Sequence, residues 1–84
     1  MSEKIFFENI WLLTEQLKGA PIEDFEKKEL KEAFHKADGD NFEKAKIAIA
    51  NVLHGDTDYI DEKVNIYEDM AELLDVIRKE ADFN

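Results

Sequence analysis

The chain has 84 residues and a formal net charge of −10. This length is sufficient for one small domain and too short for a second hydrophobic core. It contains no cysteine, so disulfide bonds and thiolate metal sites are excluded. The excess of carboxylates repels phosphate groups, and we therefore expect neither nucleic acid nor an anionic membrane surface as a partner. We predict one helical domain over residues 1–84.

The first predicted helix covers about residues 3–18 and ends at Gly19, because apolar residues recur there at helical spacing. It carries three large aromatic residues, Phe6, Phe7 and Trp11. One buried stripe cannot hold all three, so we expect two of them in the core and one exposed, with Phe7 and Trp11 as the candidate anchors for a protein partner or a dimer contact. The longest apolar run in this segment is four residues, which predicts neither a signal peptide nor direct membrane insertion and favours a cytoplasmic protein.

The second predicted helix covers about residues 21–37, with Pro21 in its first turn and Phe25, Leu30 and Phe34 on its buried face. The third covers about residues 41–54 and is closed by His54 and Gly55. Its apolar residues again follow a helical period, and no segment of the chain alternates with a period of two. Strands are therefore not predicted.

The turn between these two helices, KADGDNFEKA, contains two aspartates around a glycine and so invites a calcium loop as an interpretation. An EF-hand loop that began at Asp38 would need a ligand at position five and a bidentate glutamate at position twelve. The chain has Phe42 and Ile49 there, so the calcium interpretation fails. Instead, Gly39 is predicted to adopt a left-handed conformation, and Asp40 to cap the third helix in a capping box with Glu43.

The fourth predicted helix is the longest, about residues 58–81. One stripe runs through Ile60, Val64 and Tyr67, and an adjacent stripe contains Ile66 and Ile77. A face this wide contacts two neighbouring helices. Four helices with short connections predict an all-α, single-domain antiparallel four-helix bundle.

The acidity of the chain is concentrated in this last third. From Ile47 to Ile77 eight carboxylates accompany a single cation, Lys63. A basic partner would be attracted to such a face, although a merely solvated surface explains the same pattern. The candidate partner-binding carboxylates are Asp61, Glu62, Glu68, Asp69, Glu72 and Asp75. A cation site at Asp56, Asp58, Asp61 and Glu62 is an alternative, for which helix capping is the simpler account.

No catalytic constellation is visible. The two histidines, His35 and His54, each stand near a helix end, and the only serine is Ser2. No nucleophile is placed beside a base, and the carboxylates are too numerous to single out an acid–base pair. We therefore predict no enzymatic activity, no cofactor and no metal.

Two families share features with this order of helices. Residues Leu30 to Leu53, with Gly39-Asp40 before Glu43-Lys44-Ala45, resemble the second and third helices of ubiquitin-associated and related three-helix modules. This resemblance covers less than a third of the chain.

The order of elements from Glu8 to Leu74 is similar to that of immunity proteins for class II (pediocin-like) bacteriocins. The features that carry the resemblance are Glu29, Leu30 and Ala33 in helix two, Gly39, Asn41 and Phe42 at the turn, Leu53, and Tyr67 in helix four. The resemblance implies a cytosolic four-helix bundle that protects a producer cell by acting on the bacteriocin-bound membrane sugar transporter. Because helix four is acidic, that action is expected through protein contact.

The sequence thus predicts a small acidic cytosolic protein that binds another protein, with bacteriocin immunity as its most specific form. The alternative is an inhibitory or regulatory module, phage- or regulon-encoded, whose helix four occupies a basic site on its partner. The wide face of helix four and the surplus aromatics of helix one also favour a homodimer.

Overall fold

A computed structural model describes residues 3–82 of the chain. These residues form five helices, α1 (Glu3–Lys18), α2 (Asp24–Lys36), α3 (Asn41–Val52), α4 (Thr57–Ile66) and α5 (Glu68–Glu80), and contain no strand. The all-α prediction is confirmed. The count of four helices is wrong, because the segment predicted as one helix over residues 58–81 is divided in two.

Aromatic side chains join α1 to α2. The ring of Phe7 packs edge-to-face on Phe34 with centroids 5.0 Å apart, and Phe6 meets the same ring at 5.8 Å. Further along α1, Lys27 of α2 lies over the ring of Trp11. Because later residues of α1 meet earlier residues of α2, the two helices run antiparallel.

The connection between α1 and α2 is held by charged side chains. Gly19 ends α1 with φ of 77°, as predicted. Pro21, however, lies before α2 and not in its first turn. The Glu15 carboxylate accepts a hydrogen bond from the Ile22 amide at 3.0 Å, and Lys18 pairs with Glu26 at 2.6 Å. These contacts hold the segment in an extended course, so that α2 begins three residues later than predicted.

The turn between α2 and α3 has the predicted geometry in two respects. Gly39 has φ of 117°, a region that favours glycine. The Asp40 side chain caps α3 by accepting a hydrogen bond from the Glu43 amide at 2.9 Å. The second hydrogen bond of a capping box, which the sequence predicts between Glu43 and the start of α3, is found instead at the start of α2. There the Glu26 carboxylate accepts a hydrogen bond from the Glu23 amide at 3.0 Å.

The end of α3 is closed by a Schellman motif. The Gly55 amide donates to the Ala50 carbonyl at 2.9 Å, and the His54 amide donates to the Asn51 carbonyl at 3.3 Å. In this motif it is His54 that carries the positive φ, 58°. Asp56 then caps α4 by accepting from the Tyr59 amide at 3.0 Å.

The break between α4 and α5 occurs at Tyr67, whose φ and ψ of −112° and 113° are extended. Neither proline nor glycine stands there, which is why the helical period predicts continuity. A continuous helix over residues 58–81 would be about 36 Å long, whereas the longest dimension of the molecule is 31 Å. The break lets both halves of the segment remain on one core.

The core lies between all five helices. In it α2 packs mainly on α3, α4 packs on both α3 and α5, and α5 lies against α1. The fully buried side chains of largest volume come from every helix, namely Phe6, Ile10, Leu13, Thr14, Leu30, Ile49, Ile60 and Ile77. The last helix lies beside the first, as in an up-and-down bundle, but the described residues form five helices where four are predicted.

Replacement of Asp40 by alanine is expected to lower the free energy of unfolding by about 1 kcal/mol, because α3 loses its N-cap. Urea denaturation followed by circular dichroism measures this. Asp38→Ala, an exposed position in the same turn, serves as the control and should change stability by less than half as much. An equal loss in both variants, or a melting temperature that rises with added calcium, would contradict the capping role.

The pKa of Glu26 is lowered from its usual value of 4.5, first by the hydrogen bond from Lys18 and then by the amide of Glu23. A carboxyl with a lowered folded-state pKa stabilises the fold above the unfolded-state pKa and loses that contribution as the pH falls through the folded value. Glu26→Gln should therefore destabilise at pH 7, and its difference from wild type should shrink on acidification below pH 4.5.

Unfolding free energies measured between pH 7 and pH 3 test this dependence on Glu26. Glu29→Gln changes an exposed carboxylate of the same helix and is the matched control. A difference between wild type and Glu26→Gln that stays constant over this range would show that the Lys18–Glu26 pair does not contribute.

Candidate protein-binding surface

Neither of the two aromatic residues predicted as anchors on α1, Phe7 and Trp11, is fully exposed. Phe7 is buried between Phe34 and His35, so its assignment as a surface anchor is wrong. Trp11 is half-buried, and its indole Nε1 is enclosed without a hydrogen-bond partner among residues 3–82. Because α1 faces α2 on one side and α5 on another, it buries more than the single stripe on which the prediction depended.

Several basic side chains place their ammonium or guanidinium groups over aromatic rings, at distances where a cation is attracted to the ring face. Lys31 lies 5.3 Å from the centroid of Phe7, and Arg78 lies 4.7 Å from that of Phe42. Other cations in such positions are Lys27, Lys44, Lys46 and Lys63. Their aliphatic stems cover apolar surface while the charged ends remain near water.

The six candidate carboxylates fall into two groups. Asp61 pairs with Lys46 of α3 at 3.0 Å, and Asp75 pairs with Arg78 and Lys79 of its own helix at 3.7 and 3.2 Å. The other four are exposed and, within the described part of the chain, have no cation within ion-pair distance. These four, called the acidic surface below, are Glu62, Glu68, Asp69 and Glu72.

Intramolecular electrostatics accounts for only half of the acidic surface. Glu68 and Asp69 occupy the first turn of α5, where the helix dipole favours negative charge. Glu72 gains nothing from the dipole and stands four residues after Glu68, a spacing at which like charges repel. Glu62 lies in the middle of α4. The acidic surface therefore carries more negative charge than the stability of these helices requires.

Two exposed apolar residues interrupt the acidic surface at the break between the helices. Ile66 is 68% exposed and Tyr67 is 50% exposed. The helical period had assigned both to buried stripes, and they face solvent because α5 changes direction immediately after them. The sequence around Ile66 and Tyr67 does not indicate this exposure, because neither proline nor glycine marks the break between the helices.

A third apolar residue also lies where the pattern did not place it. Phe25 was predicted on the buried face of α2 and is 64% exposed. The buried line of that helix runs through Glu26, Leu30 and Phe34, four residues apart. Phe25 is five residues before Leu30, or about 140° around the helix, and therefore faces away from the core.

The carboxylates of the alternative cation site are the N-cap residue of α4, Asp56, and three residues within α4, Asp58, Asp61 and Glu62. Asp56 is committed to capping α4 and Asp61 to Lys46. No cluster of three histidine, aspartate or glutamate side chains among residues 3–82 has an arrangement suited to a metal ion. Over the same range, no helix combines the length and apolar character needed to cross a bilayer.

Comparison with known proteins found no match to a protein-family model, a curated protein or a solved structure. The resemblances to bacteriocin immunity proteins and to ubiquitin-associated modules therefore stay predictions.

Proposed function

We propose that this chain is a non-enzymatic, protein-binding protein whose acidic surface contacts a basic region of its partner. The observation that carries the proposal is the set of four exposed carboxylates on α4 and α5 that form no ion pair among the described residues. Charges placed in this way attract an oppositely charged surface, accelerate association and discriminate against acidic partners.

The distribution of the remaining charges supports this assignment of a binding face. Helix α2 carries four cations and four carboxylates and so presents no dominant sign of charge. Helix α4 carries three carboxylates and one cation. All charged residues in the first two turns of α5 are carboxylates. A basic partner is therefore steered toward the α4–α5 side of the molecule.

Two variants of equal net charge test the proposal. One neutralises the acidic surface by Glu62→Gln, Glu68→Gln, Asp69→Asn and Glu72→Gln. The control neutralises four exposed carboxylates elsewhere by Glu8→Gln, Glu29→Gln, Glu32→Gln and Asp38→Asn. In affinity capture at low salt, wild type and control should enrich the same basic proteins. The amount of these proteins captured by the acidic-surface variant should be lower by about tenfold or more.

Captured proteins should elute as the salt concentration rises through the physiological range, because exposed charges are screened over about 8 Å at that ionic strength. Circular dichroism of each bait verifies that the fold is retained. Equal losses in both variants would mean that only net charge matters, and undiminished capture by the acidic-surface variant would place the contact elsewhere.

Bacteriocin immunity is the most specific form of this function, and the all-helical class supports it, although the described residues form five helices and the resemblance implies four. In that case the acidic surface would contact a basic part of the transporter complex rather than lipid. Expression in a sensitive strain should then raise resistance to one bacteriocin of a panel, and the acidic-surface variant should not protect. Absence of protection across the panel would reject immunity and leave the broader proposal to the capture experiment.

A further inference from the structure

The break between α4 and α5 exposes apolar surface in the middle of a charged one. Ile66 and Tyr67, called the elbow patch below, are adjacent in sequence and are two of the most exposed large apolar residues in the described chain. Burial of an isoleucine side chain contributes as much as several exposed ion pairs. A partner that covers the elbow patch therefore gains affinity that charge alone does not supply.

Negative charge surrounds the elbow patch on both sides along the chain. Glu62 stands four residues before Ile66 on α4, a spacing that places the two on one face of the helix. Glu68 and Asp69 follow Tyr67 directly at the start of α5. An occupant that covers the elbow patch therefore comes close to carboxylates on either side of it along the chain, which favours a basic occupant.

The ring of Tyr67 adds to this preference. Aromatic faces attract ammonium and guanidinium groups, and Tyr59 of α4 already has Lys63 over its ring at 5.6 Å. No cation of the described residues lies over Tyr67 in the same way. Its face is thus open to a lysine or arginine of the partner.

A second copy of the chain does not offer the required surface. The lysines of α2 alternate with equal numbers of carboxylates, and Lys27 and Lys31 already stand over Trp11 and Phe7. A copy that approached the elbow patch would bring as much negative as positive charge. The complementarity points to a different molecule.

We infer that the elbow patch is the apolar anchor point of the binding face and that its occupant is a basic amphipathic segment of a partner protein. Lysine or arginine side chains of the segment contact the acidic surface, and one aliphatic or aromatic side chain packs on Ile66 and Tyr67. This inference rests on the proposed function and specifies the chemistry of the partner.

Two synthetic peptides of equal length and lysine content test the inference by calorimetry. One carries leucine at helical spacing between the lysines, and the other has serine at those positions. Wild type should bind the leucine peptide about tenfold more tightly than the serine peptide. Ile66→Ser should remove this preference without changing the binding of the serine peptide. Tyr67→Ser should also remove the preference, and it should weaken the serine peptide because a lysine loses its contact with the ring.

Leu12→Ser is the matched control, because Leu12 is an exposed aliphatic residue of α1 at 46% exposure. It should retain the preference for the leucine peptide. All three positions are on the surface, so their variants are expected to fold, and thermal denaturation verifies this. Loss of the preference in Leu12→Ser as well would show general adhesion of leucine to the protein and would overturn the inference.

The outcomes separate the inference from the function on which it rests. If both peptides bind wild type equally and the acidic-surface variant binds neither, the elbow patch is not an anchor while the proposed function stands. If neither peptide binds, or if binding is unchanged in the acidic-surface variant, the proposed function fails too. If light scattering shows a dimer that Ile66→Ser converts to a monomer, the occupant is a second copy and the inference is wrong.

Discussion

The fold depends on the packing of three phenylalanine rings: Phe6 and Phe7 of α1 contact each other edge-to-face, and both contact Phe34 of α2 in the same way. Such pairs contribute beyond the area that they bury, and here they also fill the space between two helices whose backbones do not pack closely. Lys31 of α2 and Lys44 of α3 stand over the faces of the Phe7 and Phe34 rings. Positive charge is thereby gathered around the aromatic core.

The separation of charge follows from this arrangement. Lys31 and Lys44 stand over aromatic rings, while α4 and α5 together carry eight carboxylates and three cations. A chain of this size has a large surface relative to its core, so it can present one neutral side and one strongly acidic side. The proposed binding function uses the side formed by α4 and α5, where carboxylates outnumber cations.

The break at Tyr67 connects the fold to the proposed site. A straight helix of the predicted length would project beyond the core, and turning it back returns Leu74 and Ile77 to the interior. The turn has a consequence at the surface, since Ile66 and Tyr67 are left at its outer corner. No side chain caps the start of α5, in contrast to the caps supplied by Asp40 and Asp56, so the position of this break is set by packing.

The sequence by itself determined the helical class, the acidic character of the last third, the stop at Gly19 and the cap at Asp40. Each of these follows from residues a few positions apart, through local hydrogen bonds, backbone preferences or simple charge. Only the tertiary structure decided that Phe7 is buried, that Phe25 is exposed and that the last helix breaks at Tyr67. Those outcomes depend on which helices cover a given face and on how much length the core can support, and neither quantity is written in the local pattern.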